Sequence, residues 1–288
     1  MLFLIRLLGR LPLRVLHWLG TVLGWVAYAT DRRYRHRLRE NLARAGIAEG
    51  AELARIRRAA IAGAGRTLAE LPCFWLRPQS TLARWARVTE GQHLLDQAHA
   101  RGRGILFLTP HLGAFEITAQ WYGMARPITV MYRRPKLAWL DPIVRAGRGR
   151  GHVELVGADL GGVRAMLRAL RAGQAVGLLP DQAPGVGEGV WAAFFGRPAY
   201  TITLAARLAR STGTTVLMIV ARRLPAARGY ELNLRALPDP LPDDPALAAR
   251  AINAAVEAVV TRDPGQYLWS YNRYKQPAGA PPPPDGAA

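Results

Sequence analysis

His111 and Glu116 form a His-x-x-x-x-Glu spacing inside residues 104–118, where a short apolar run delivers the imidazole to a turn. Five residues of regular helix rotate a side chain by about 140° at 3.6 residues per turn, so one helix would hold the pair on different faces. The imidazole therefore belongs in the turn and the carboxylate on the first turns of the helix that follows. Gly113 allows the backbone to bend between them. So placed, Glu116 can accept from one ring nitrogen and fix the tautomer. The other nitrogen is then left as a general base, and the group it would activate is a hydroxyl.

Other readings of the same residues are a hydrogen-bonded structural histidine at a strand end, a metal ligand, or the partner of a nucleophile. A metal centre lacks a third ligand at familiar spacing, and no His-Glu-x-x-His run is present. The single cysteine, Cys73, follows Pro72 in an aromatic-rich segment with no nucleophile signature. A base acting on an external alcohol remains, with no cofactor or metal required.

Further candidates sit where apolar runs end. Arg133 and Arg134 follow the run 128–132 and precede Pro135, so a guanidinium there can pair with phosphate or carboxylate; a solvated loop charge is the alternative. Asp181 and Gln182 follow the run 176–180. Asp181 either orients Arg133 or a polar substrate group, or caps its own loop. The Gly-rich loop 183–190 allows close approach of backbone donors but lacks the Gly-Lys-Ser/Thr ending of a P-loop. Phe194 and Phe195 read as core before acyl-chain wall. In 266–275, Trp269, Tyr271, Arg273 and Lys275 alternate, giving an extended segment one aromatic and basic face. That face suits a lipid headgroup, with structural ion pairing as the alternative.

The elements that must position these groups follow from periodicity. Strand-like runs at 105–109, 128–132, 153–156, 176–180, 216–222 and 230–236 alternate with helical patterns at 114–124, 138–147, 161–172 and 203–211. This alternation predicts an α/β fold with a mixed, mainly parallel sheet flanked by helices and active residues at strand ends. Upstream, 41–75 and 82–101 read as helical, with Pro72 and Pro78 ending the first; 246–260 makes a late helix. The division expected is an N-terminal membrane-associating helix at 1–30, one catalytic domain at 31–277 and a disordered Pro-rich tail at 278–288.

Composition bounds the partners. Half of the 288 residues are hydrophobic, which excludes global disorder, and the length suffices for one large α/β domain. The formal charge of +19 calls for an acidic partner: nucleic acid, anionic lipid or acidic protein. No zinc module, helix-turn-helix or aromatic RNA-binding signature accompanies the arginines, so a membrane-bound nucleic-acid-binding protein is the remote reading and no nucleic-acid partner is expected. Arg6, Arg10 and Arg14 recur every four residues and would make one basic stripe beside Leu and Phe, with Trp18, Trp25 and Tyr28 suited to a headgroup boundary. The least interrupted stretch, 15–30, is shorter than the roughly 20 residues that cross a bilayer comfortably. The basic cluster 31–39 then draws the chain to anionic lipid and keeps the following domain cytoplasmic.

The dyad after a strand resembles the His-x-x-x-x-Asp/Glu signature of the glycerolipid acyltransferase superfamily. The blocks 130–135, 178–189, 194–201 and 266–275 resemble, in order and spacing over nearly the whole chain, the late acyltransferases of lipid A biosynthesis. The resemblance implies a glycerolipid-acyltransferase-like fold, with His111 as general base and Glu116 as its orienting acid. It favours Arg133 over Arg134 as a substrate contact, although an extra Arg intervenes before Pro135. It further implies an acyl-acyl carrier protein donor, a Kdo-bearing lipid A precursor as acceptor, and a place on the cytoplasmic face of a bacterial inner membrane. The same chemistry on a lysophospholipid, glycolipid or aminolipid, with acyl-CoA or carrier-protein donor, is the alternative.

Overall fold

The structure is a computed structural model that describes residues 2–135 and 137–284, so the last four residues of the expected tail lie outside the described residues. The apolar runs become strands. β1 is Ala86–Glu90, β2 Ile105–Leu108, β3 Ile128–Tyr132, β4 Val153–Gly157, β5 Ala175–Leu178, β6 Gly189–Phe194, β7 Arg197–Ile202, β8 Thr215–Arg223 and β9 Tyr230–Ala236. Seven of them form one sheet in the order β1-β9-β8-β2-β5-β3-β4, parallel throughout except at β8–β9. The central strands β2 and β5 are buried at every position, which is why they read as continuous apolar runs.

The helices are α1 Leu2–Arg10, α2 Leu13–Thr30, α3 Arg32–Arg44, α4 Gly50–Leu76, α5 Gln79–Trp85, α6 Gln92–Arg101, α7 Glu116–Gly123, α8 Asp141–Arg148, α9 Leu160–Arg171, α10 Leu204–Thr212 and α11 Pro245–Arg262. Leu106 and Leu108 of β2 face one core, shared with Met166 of α9, Leu208 of α10 and Ile252 of α11. Ile105 and Phe107 face the opposite core, with Leu95 of α6 and Tyr122 of α7. This period-2 division of one strand between two cores makes three layers.

Several expectations change. Residues 82–101 hold an edge strand, β1, between two helices: β1 gains a parallel partner in β9, which a local helical pattern cannot reveal. Residues 189–202 form a hairpin, with Phe195 (φ 47°) and Gly196 (φ 69°) both left-handed at its turn, as a twisted two-residue connection requires. Phe194 is buried in the core. Residues 41–75 divide between α3 and α4 at Gly46 and Gly50, and Pro72 lies inside α4 instead of ending it. Of the tail, 278–284 has a described course: Ala280 is buried and the Trp191 indole donates to Pro281 O at 2.9 Å.

At the N-terminus Pro12 separates α1 from α2, so Arg14 does not continue one helix with Arg6 and Arg10. α2 packs on α4 through small residues: a Cβ at Gly65 would stand 1.9 Å from Gly20 O. Its other side exposes Trp18, Val22, Leu23, Trp25 and Val26. No described helix is long and apolar enough to cross a membrane.

Candidate active site

Register brings two distant residues together. Leu108 of β2 pairs with Leu178 of β5, and each strand runs three residues further, through Pro110 and Pro180, to His111 and Asp181. Because the strands are parallel and adjacent, both side chains emerge at the C-terminal edge of the sheet, where ligands of open α/β folds bind. Asp181 Oδ1 lies 2.8 Å from His111 Nδ1, and Oδ2 accepts from the His111 backbone N–H at 2.8 Å. Asp181 is only 3% exposed. Burial pushes its carboxyl up, but the His111 imidazole and the N–H donors outweigh that and hold it below the ordinary aspartate range. On the other side of the ring, the Gln182 side-chain amide lies 3.1 Å from Nε2. A carboxylate accepting at Nδ1 places a proton on that nitrogen, and Nε2, beside the Gln182 amide, is the ring nitrogen that faces away from Asp181.

The imidazole therefore has a different partner from the one the spacing led us to expect. Among the described residues, the hydrogen-bond donors to the Glu116 carboxylate are Trp75 Nε1 at 2.8 Å and the Arg148 guanidinium, whose Nη2 reaches Oε2 at 2.7 Å and whose Nε reaches Oε1. Glu116 is the first residue of α7 and faces the end of α8, so helix geometry turns it away from the ring that the preceding turn presents. Burial pulls the Arg148 pKa down, but the Glu116 carboxylate outweighs it and raises the net value. The Tyr132 ring flanks the same guanidinium, 5.8 Å away. Sequence reasoning missed Arg148 and Trp75 because nothing local marks them. For Asp181 a signal existed: both it and His111 follow a strand and a proline.

The turn that carries His111 is tied on two sides. Gly113 adopts φ 61°, and a Cβ there would stand 2.1 Å from Ala221 O, so only glycine lets the turn lie against β8. Ala114 N donates to Ala221 O at 2.8 Å. The block 266–275 clamps the other side: Leu268 N donates to His111 O at 3.0 Å, and Gly113 N to Gln266 O at 2.9 Å. Its Arg273 does not face a headgroup. It is 3% exposed and donates to Tyr200 O, Thr201 Oγ1 and Asn253 Oδ1, a structural role through neutral acceptors and not through the ion pairing expected as the alternative. Arg133 lies exposed past the end of β3, on the same sheet edge as His111, and its hydrogen-bond partners do not include Asp181. Cys73 is buried against Gly9 O, and burial pushes its thiol up to about 11, which removes thiolate chemistry at neutral pH.

The His111 ring nitrogens hydrogen-bond Asp181 and Gln182, and among the described residues no Ser, Cys or Thr side chain. Similarity to known proteins makes the enzyme an acyltransferase. The chain belongs to the bacterial lipid A biosynthesis acyltransferase family, whose model matches residues 1–276. It is 30% identical over 282 residues to a lipid A biosynthesis lauroyltransferase of Escherichia coli K12, covering 96% of this chain and 90% of that protein. It is 29% identical over 276 residues to the palmitoleoyltransferase of the same strain, covering 94% and 88%. A lipid A biosynthesis acyltransferase of Haemophilus influenzae is 31% identical over 185 residues, covering 62% and 56%.

Proposed function

We propose that this acyltransferase moves a fatty acyl group from an acyl-acyl carrier protein thioester to a hydroxyl of a Kdo-bearing lipid A precursor, on an acyl chain already in place. His111 Nε2 takes the hydroxyl proton as the oxygen attacks the thioester carbonyl. Gln182 moves off Nε2 to admit the hydroxyl. The C–S bond breaks and the departing thiolate takes the proton from the imidazolium, so no covalent acyl-enzyme is needed. Asp181 steadies the imidazolium as the acid of a Ser-His-Asp triad does, with the substrate supplying the alcohol. The reading rests on one observation: an imidazole held at Nδ1, at 2.8 Å, by a buried carboxylate at the sheet edge.

Glu116 takes a different part from the one its spacing pointed to. It holds the Arg148 guanidinium in place, and Arg148 with Arg133 offers positive charge to an acidic acceptor or to the oxyanion. The exposed apolar side of α2, followed by the exposed Arg32, Arg33 and Arg39 of α3, supports seating on an anionic bilayer at the cytoplasmic face of the inner membrane. One strongly basic surface then meets acidic carrier, phosphorylated sugar and anionic lipid.

Purified protein supplied with defined carrier-protein and CoA thioesters and a panel of lipid acceptors, read by mass spectrometry, tests this. Transfer from carrier protein to the Kdo-bearing precursor is expected. Transfer confined to lysophospholipids, glycolipids or aminolipids would replace the acceptor, and transfer confined to CoA would replace the donor.

A further inference from the structure

The His111 turn lies against β8 at Ala221, and the Gln266 side chain ties it further to a buried ionic cluster that begins two residues on, at Arg223. Gln266 uses its backbone carbonyl to accept from Gly113 N at 2.9 Å. Its side-chain amide grips the peptide groups of Arg223 at the end of β8: Oε1 accepts from Arg223 N at 2.9 Å, and Nε2 donates to Arg223 O at 3.2 Å. Behind that joint, the Arg223 guanidinium donates to both oxygens of Glu70, at 2.9 Å from Nε and 2.7 Å from Nη2, and to Thr67 Oγ1 at 2.8 Å. Glu70 is fully buried in α4 and also meets His17 Nε2 of α2 at 2.7 Å and the Tyr230 hydroxyl of β9 at 3.1 Å.

A buried ion pair is poor evidence of net stabilisation, because desolvation offsets most of the attraction. What it does supply is geometry. Arg223 is fixed by α4, and through Glu70 by α2 and β9, so the peptide groups that Gln266 grips cannot drift. We infer that Gln266 is a positioning residue for His111, braced against the buried Glu70–Arg223 pair, and that it sets the imidazole against Asp181. The inference rests on the reading of His111 as the base. A side-chain amide suits this task where an aliphatic residue of equal length would not, because it alone offers donor and acceptor together to one residue's N–H and C=O.

Gln266→Met keeps the length and removes both side-chain bonds, and Glu70→Gln keeps the shape and weakens the brace. Each is assayed for kcat and KM on acyl donor and acceptor, for melting, and for the ring-nitrogen NMR signals of 15N-labelled His111, beside His111→Ala. For Gln266→Met we expect kcat to fall about 10- to 100-fold with KM within about twofold and the His111 signals shifted or broadened; Glu70→Gln should move both the same way by less. Lowered melting with unchanged kcat and unchanged His111 signals, in whichever variant folds, would overturn the assignment. The NMR readout judges positioning whatever the rate. An active His111→Ala enzyme would instead remove the catalytic reading beneath it.

Discussion

Asp181→Asn separates the two jobs of this buried carboxylate. The His111 backbone N–H needs an acceptor, and Oδ2 now supplies it at 2.8 Å. In an asparagine the single oxygen must take that place, which turns the NH2 toward Nδ1. Nδ1 then has to accept, the ring proton moves to Nε2, and the lone pair that should receive the substrate proton is gone. The wrong tautomer in a serine-protease triad lowers kcat about 10⁴-fold, so a loss of about 10³- to 10⁴-fold is expected here, or ~4–5.5 kcal/mol of barrier. Stability should change far less, because both contacts persist and only charge assistance is lost, about 1 kcal/mol. Single-turnover acyl transfer gives the rate, circular dichroism the fold, and 15N shifts of His111 the tautomer. A folded variant within about threefold of the parent rate would refute the chain of reasoning from the 2.8 Å contacts to the tautomer.

Four further outcomes follow from particular contacts. Glu116→Ala strands the Arg148 guanidinium and should cost about 1–3 kcal/mol in urea unfolding while leaving the His111 nitrogen shifts in place; shifts like those of the Asp181 variant would return Glu116 to the imidazole. Gly65→Val drives a side chain into Gly20 O, 1.9 Å from the site of its Cβ, and should destabilise by about 2–3 kcal/mol, with a melting temperature within 1 °C of the parent contradicting the packing of α2 on α4. Asp181 and Glu70 both have carboxyls held below their ordinary range, Asp181 by His111 and Glu70 by Arg223 and His17 working against burial. A depressed folded pKa gives stability that is present above the unfolded value and lost as pH falls through the folded one. Unfolding free energy should therefore decline as pH drops below about 4, with a shallower decline in Asp181→Asn; parallel curves would count against the assignment. Trp18→Glu with Val22→Glu puts charge on the exposed side of α2 and should lower sedimentation with anionic vesicles at least about tenfold, and unchanged sedimentation would place the lipid contact elsewhere.

Much of this architecture was legible because it is written in short-range patterns. The six apolar runs from 105 to 236 became β2, β3, β4, β5, β8 and β9, and the helices between them appeared within a few residues of their expected bounds. β1 stayed hidden because a half-buried edge strand owes its existence to β9, more than a hundred residues away. The site divides in the same way. His111 was visible from its own neighbours, whereas its partner was decided by the alignment of Leu108 with Leu178, which is a property of the sheet. Glu116 had the right residue type at a suggestive distance, yet its first-turn position on α7 delivers it to Arg148, reached only by folding α8 back beside it. Arg273 shows the converse. Alternation put it on one face of an extended segment, but 269–274 folds as consecutive turns, and these deliver its guanidinium to the Tyr200 carbonyl, Thr201 and Asn253.

The central claim is that the His111 imidazole takes a proton from a lipid hydroxyl. Its most direct test is the single-turnover rate of acyl transfer from carrier-protein thioester to lipid acceptor in His111→Ala, with fold and acceptor affinity checked on the same sample. A rate lowered at least about 100-fold with acceptor affinity retained is predicted. A folded variant that transfers acyl groups at near the parent rate would contradict it.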